Sequence, residues 1–331
     1  MRRFLVVLLT LVAVLSAGWF ALQRADIGYD RLELVYANAD SRILPLDNGL
    51  RVHYRDAGPR DAPVIVLVHG FSSSLHTWEP WVANLKRDYR VISLDLPGHG
   101  LTNCLEGERV GTGQFVETVD AVTRALGIET FTLAGNSMGG GVAWAYALAH
   151  PSRLEGLVLV DASGWPENAQ EEQSDPLVFK LLSNPVARRL MKNTDMTWLV
   201  RDGLRDSFAN PDLATDDMVN RYTALARAPC HRDALMALTS GRGDRARATK
   251  EALAKIAVPT LVLHGAQDKL IPVAAGQKFA DAIPGAKLVT YADAGHLPQE
   301  ELAEESAGDL RAFLAGLNAS ETASTEPAED G

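Results

Sequence analysis

Six apolar runs of strand length recur along the chain, at residues 64–68, 91–94, 130–134, 157–160, 260–263 and 287–290, with helix-like patterns between most of them. A strand exposed on one face alternates apolar and polar residues, whereas continuous apolar runs fit strands covered by helices on both faces. The pattern predicts an α/β domain on a mostly parallel sheet. Ahead of these runs, residues 32–54 read as short strands. Leu50, Val52 and Tyr54 face one way and Arg51 and His53 the other after the turn signal Asp47-Asn48-Gly49, so a hairpin is expected to open the domain.

The gap between the runs at 157–160 and 260–263 is too long for one crossover connection, so residues 164–250 are expected to fold as a helical lid inserted into the domain. Leu177, Phe179, Leu181, Leu182, Val186, Leu190 and Met191 give that insertion one apolar stripe, and Pro185, Pro211 and Pro229 divide it. Trp198, Leu199, Phe208 and Met218 read as lid core. Residues 318–331 are acidic and nearly free of apolar side chains, which predicts a disordered, solvated tail.

Residues 4–22 carry no charge and follow Arg2 and Arg3. As a helix they would span about 28 Å, close to the roughly 30 Å of a hydrocarbon core. A cleavable signal needs only about 7–15 apolar residues. Residues 1–25 are therefore read as a membrane anchor, with a cleaved signal and secretion as the alternative. The positive charges before the run put the N-terminus in the cytoplasm and the domain at residues 26–317 on the far side, periplasmic in a bacterium. The chain has 331 residues with 32 basic against 42 acidic, a formal charge of -10 that repels phosphate backbones and argues against nucleic acid as a partner. Its two cysteines, Cys104 and Cys230, have no histidines at ligand spacing, so no metal is implied; they are either buried thiols or a disulfide.

Chemistry concentrates where the run at 130–134 meets Gly135-Asn136-Ser137-Met138-Gly139-Gly140-Gly141 and a helical stretch ending at Pro151. A serine between glycines at a strand-to-helix junction suits a sharp nucleophile turn, because bulkier neighbours would clash there, and the helix N-terminus offers unpaired N–H groups to a developing oxyanion. Three further segments follow apolar runs: His69-Gly70-Phe71-Ser72, Asp95-Leu96-Pro97-Gly98-His99-Gly100 and His264-Gly265-Ala266-Gln267-Asp268; Ala294-Gly295-His296-Leu297-Pro298 lies near the end. In this order and spacing the chain resembles the α/β-hydrolase superfamily over residues 42–317, and within it bacterial esterases, lipases and membrane-anchored monoacylglycerol lipases.

The resemblance implies an eight-stranded, mostly parallel sheet with helices on both faces, and a triad of Ser137, Asp268 and His296. An alcohol is a weak nucleophile at neutral pH, so Ser137 needs His296 as base, and Asp268 would hold the imidazole in the right tautomer. The backbone N–H groups of Phe71 and Met138 are the expected oxyanion donors. Asp161 is an alternative acid position in some members of the superfamily, while Asp95 and Asp293 read as structural. His69 and His99 are placed to line the pocket or to hold loops; His53, His76, His150, His231 and His264 are expected to satisfy local bonds or face solvent. The expected function is a cofactor-free serine hydrolase acting on a small-molecule ester or lipid. The alternatives on the same triad are a carbon–carbon bond hydrolase of ring-cleavage diketones and a cofactor-free haloperoxidase. A different class is a membrane-tethered binding protein without catalysis. Dehalogenase and epoxide-hydrolase chemistry needs an aspartate nucleophile, and position 137 is Ser.

Overall fold

A computed structural model describes residues 2–105, 110–165, 184, 186, 192–239 and 246–325. One sheet runs in the order β1-β2-β4-β3-β5-β6-β7-β8. Its strands are β1 (Ser41–Pro45), β2 (Arg51–Ala57), β3 (Val64–Val68), β4 (Arg90–Leu94), β5 (Phe131–Asn136), β6 (Leu154–Val160), β7 (Thr260–Gly265) and β8 (Lys287–Tyr291). The hairpin β1–β2 and the β2–β4 pair are antiparallel, and every other pairing is parallel. Helices α1 (Arg2–Ala21) and α2 (Tyr29–Tyr36) precede the sheet; α3 (Glu79–Leu85), α4 (Thr112–Ala125) and α5 (Met138–Ala149) connect its first strands. Between β6 and β7 lie α6 (Thr197–Ser207), α7 (Asp216–Leu225), α8 (His231–Thr239) and α9 (Lys250–Leu253), and α10 (Val273–Ala282), α11 (Pro298–Glu301) and α12 (Ala303–Thr325) complete the chain.

The sequence of β3, Val-Ile-Val-Leu-Val, shows why these strands lack a polar face. Ile65 and Leu67 pack with Trp78, Trp81, Leu310 and Leu314 on one side of the sheet, and Val66 and Val68 with Phe115, Val119, Val142 and Phe279 on the other. Burying both faces of a strand removes every side chain from water, so each position repays an apolar residue.

The insertion between β6 and β7 is helical in its described residues. Leu204, Phe208, Val219 and Tyr222 form its own small core together with Leu297. Met218 packs against that cluster, but Trp198 is 59% exposed and is not lid core, because it lies on the outward face of α6. Of the proposed apolar stripe only Val186 is described, and it is exposed; the other members lie outside the described residues.

The structure departs from the sequence reading at two other places. Residues 29–36 are helical rather than extended. Only Leu32 is buried there, against Leu101, Leu225 and Ala228, while Leu34 and Val35 are exposed, a one-sided burial that a single helical face satisfies. The last helix continues past Leu317 as far as Thr325, the last described residue, through Ala-, Ser- and Glu-rich sequence. Of the two alternatives open for the cysteines the structure has the bridge: Cys104 and Cys230 form a disulfide, joining the loop after β4 to the start of α8.

The apolar helix α1 is long enough to cross a membrane by length and composition, and none of it is buried in the protein. The segment that follows is knit to the lid. Arg24 N–H donates to Asn193 O at 2.7 Å, Asp195 N–H to Leu22 O at 2.8 Å and Ile27 N–H to Arg227 O at 2.8 Å. Side chains reinforce this strap: Arg24 pairs with Asp195 at 3.0 Å, Arg232 pairs with Asp26, and Arg227 donates to Ala25 O.

Candidate active site

Ser137 sits between the last residue of β5 and the first of α5, at φ 54° and ψ -118°. A non-glycine residue at positive φ is strained, and the surrounding structure fixes it there. Its N–H donates to Val160 O at 2.9 Å, and its carbonyl accepts from Ser163 N at 2.9 Å. The glycines make the turn possible: a Cβ on Gly135 would lie 2.1 Å from Gly139 O, and one on Gly139 would lie 2.2 Å from Val68 O. α5 can therefore approach the sheet only through bare backbone.

His296 is carried by the loop after β8, and its Nδ1–H donates to Asp268 Oδ2 at 2.7 Å. Asp268 Oδ1 accepts from Leu270 N at 2.7 Å and Ile271 N at 3.0 Å. Burial alone would raise the Asp268 carboxyl, but the hydrogen bond and charge of His296 and these two amides outweigh it, so the group is held below the usual carboxylate range. The structure thus brings Asp268 and His296 together. Ser137 is tied to them through its neighbour: Asn136 Nδ2 donates to His296 O at 3.0 Å.

The first residue of α5, Met138, has an N–H with no preceding turn to bond it. Gly70 lies against the Ser137 turn, where a Cβ would be 3.1 Å from that of Ser137. Met138 directly follows Ser137 in the chain, and Phe71 directly follows Gly70.

Several of the other histidines bond loops together. His69 Nε2 accepts from Leu96 N at 3.0 Å, and His53 Nδ1 bonds Asp95 Oδ2 at 2.7 Å. Asp95 also accepts from Leu75 N and Leu101 N, fixing the two loops at the ends of β3 and β4. His99 is buried, its ring in tilted contact with His69 and in edge contact with Phe115. Asp161, the alternative acid, is fully buried behind Asp268, and its Oδ1 accepts from Gly265 N at 2.9 Å.

Two positioning groups carried no sequence signal beyond proximity to a motif. Asn136 is one. The other is Glu301, whose carboxylate accepts from Gly295 N at 2.8 Å, Ala209 N at 3.2 Å and Asn210 N at 2.9 Å, clamping the His296 loop to the lid.

Comparison with known proteins agrees with this fold. Residues 63–302 match the family model for the alpha/beta hydrolase fold. The chain is 29% identical over 276 residues to a bifunctional esterase/perhydrolase of Acinetobacter calcoaceticus, covering 81% of this chain and 97% of that protein. It is 28% identical over 285 residues to the 2-hydroxymuconate semialdehyde hydrolase of Pseudomonas sp. strain CF600, covering 82% and 93%. Among solved structures it is similar to a membrane phospholipase A described as a bacterial virulence factor, at 26% identity and a TM-score of 0.70, over 96% of this chain and 99% of that one.

Proposed function

We propose that this chain, which belongs to the alpha/beta-hydrolase family, is a serine hydrolase that cleaves carboxylic esters through an acyl-enzyme. The reading is supported by Ser137 at positive φ at the head of α5, and by the hydrogen-bonded Asp268–His296 pair, whose His296 carbonyl accepts from the neighbouring Asn136. Ser137 Oγ attacks the ester carbonyl while His296 Nε2 takes its proton, and the N–H groups of Phe71 and Met138 stabilise the oxyanion. His296 then returns the proton to the leaving alcohol. Water, deprotonated by the same imidazole, attacks the acyl-enzyme, the acid leaves, and Ser137 regains its proton.

Ester or lipid substrates are supported by the esterase and the membrane phospholipase A among similar proteins. The apolar helix α1 supports a membrane tether, and the Cys104–Cys230 bridge supports a domain on the oxidising side of that membrane. A second reading, hydrolysis of a carbon–carbon bond in ring-cleavage products, is supported by the semialdehyde hydrolase.

The test is labelling by a fluorophosphonate probe, together with turnover of an ester series from acetyl to long acyl chains, monoacylglycerols and a ring-cleavage diketone. Ser137→Ala is expected to abolish labelling and lower ester turnover by several orders of magnitude. Undiminished labelling of the Ala variant refutes the nucleophile, and turnover of the diketone alone favours the second reading.

A further inference from the structure

Two carboxyl groups lie together behind His296. Asp161, Asp268 and His296 have oxygen or nitrogen atoms all within 4.8 Å of one another, and all three side chains are buried. Asp268 is fully engaged by three N–H donors, from Leu270, Ile271 and His296, as an ionised acceptor should be. Asp161 is not: Oδ1 accepts from Gly265 N, while Oδ2 is buried with no protein donor. An ionised carboxylate with an unsolvated, unpaired oxygen beside a second carboxylate would be costly, and a proton on that oxygen removes both penalties.

The groups facing Asp161 from each neighbouring element offer no cation in its place. His264 Nε2, on β7, stands 3.4 Å from Asp161 Oδ1, but it bonds Ile271 O at 3.0 Å, and its Nδ1 has no partner. That is the pattern of a neutral ring with its single proton on Nε2, and burial pushes this ring toward the neutral form. Asp268 follows β7, and Glu301 on α11 adds a further negative charge. His296, after β8, directs its Nδ1–H to Asp268. Burial first, and the Asp268 charge second, hold the Asp161 carboxyl well above the ordinary carboxylate range.

We propose that Asp161 is a positioning residue of the hydrolytic site, a neutral carboxylic acid whose Oδ2–H is donated to the Asp268 carboxylate. This rests on the triad assigned above. The donated hydrogen bond spreads the Asp268 charge, fixes which carboxylate oxygen is left for His296, and keeps Asp268 from holding the imidazolium too tightly to release its proton. One proton is shared out of two carboxyls, so the inner acid serves the outer one as an N–H donor would. Asp161 also sits at φ 44°, a conformation that aspartate, asparagine and glycine tolerate best. Asn and Gly are therefore the substitutions that change its chemistry with the least backbone strain.

The test uses the full-length protein in detergent micelles. Infrared difference spectra of wild type against Asp161→Asn at pH 7 should show a protonated carboxyl stretch in the wild type that the variant lacks; no such band overturns the proposal. The His296 ring is then titrated by NMR on protein with isotope-labelled histidine. Asp161→Asn keeps an acceptor for Gly265 and an N–H donor for Asp268, so its midpoint should stay within about 0.3 pH units of wild type, with kcat/KM within about threefold. Asp161→Gly removes the donor, leaves Asp268 more basic, and should raise the midpoint by about half a pH unit or more, moving the acidic limb of the kcat/KM profile with it. A midpoint that falls in either variant means a negative charge was removed, and one unmoved in Asp161→Gly means no donor was lost; both overturn the proposal. The infrared and NMR arms need no substrate, so absence of ester hydrolysis bears on the proposed function and leaves these results readable.

Discussion

Cutting the Cys104–Cys230 bridge is expected to destabilise the protein more than any single surface change. The two cysteines are 126 residues apart in sequence, so the bridge closes a loop that holds the Ser137 turn, β6 and most of the insertion. Loop-closure entropy for that separation gives a ceiling of about 4.9 kcal/mol at 25 °C, and native bridges of this kind commonly contribute about 2–5 kcal/mol. At roughly 2.1 cal/mol/K per residue, a domain of about 300 residues has an unfolding entropy near 0.6 kcal/mol/K, so a loss of about 3–5 kcal/mol lowers Tm by about 5–8 °C. The assay is scanning fluorimetry of full-length wild type, wild type with reductant, and the C104S/C230S variant in one detergent, with maleimide labelling to count free thiols. Agreement within about 1 °C between protein shown to be bridged and protein shown to be unbridged refutes the reasoning, as does finding both thiols free in wild type made in an oxidising compartment.

Three further outcomes follow from the same structure. Asp268→Asn should lower kcat by about 10³–10⁴-fold, because an amide no longer offsets the imidazolium; a smaller loss than in Asp161→Asn would move the acid to Asp161. Glu300 accepts from Thr77 Oγ1 at 2.5 Å, but burial raises its carboxyl from 4.5 to about 7. A raised carboxyl supports the fold fully below its unfolded value and loses that support as pH rises through the folded value, so stability should fall by up to about 3 kcal/mol between pH 4.5 and 7. Glu300→Gln should flatten that slope in melting curves, and an unchanged slope rejects the assignment. If α1 tethers the domain, a C-terminally tagged form should stay in the membrane fraction with its N-terminus intact, and added protease should reach the domain in spheroplasts; a soluble form beginning after Ala17 or Ala21, or a protected domain, contradicts the tether or its orientation respectively.

The sheet was legible because burial on both faces leaves a mark that needs no partner: Val64 to Val68 are apolar whatever packs on them, and the run matches the strand. Ser137 was legible for a similar reason, since Gly135 and Gly139 are demanded by backbone contact within the motif itself. The helix at 29–36 was not. Leu32 is buried by Leu101, Leu225 and Ala228, residues far away in sequence, and Leu34 and Val35 are apolar yet exposed, so local periodicity pointed to a strand. Trp198 misled in the same way, as an apolar side chain that the lid leaves outside. The disulfide depends on two loops meeting across the insertion, which two isolated cysteines do not announce. Glu301 and Asn136 act through backbone groups of other loops, and a backbone N–H or carbonyl has no letter in the sequence.

The lid and the candidate base are mechanically one unit at their junction. His296 N–H donates to Ser207 O at 2.7 Å, so the last turn of α6 holds the backbone of the residue whose imidazole faces Asp268. Leu297 packs into the lid cluster with Phe208, and Glu301 bonds Gly295 on one side and Ala209 and Asn210 on the other. Displacing this edge of the lid would break a backbone bond to His296 and strand two or more buried polar groups, each costing about 1–3 kcal/mol. At its opposite edge the lid is bonded to the strap behind α1 and bridged by Cys230 to the loop after β4. The edge carrying Ser207 and Phe208 therefore serves the geometry of the candidate base.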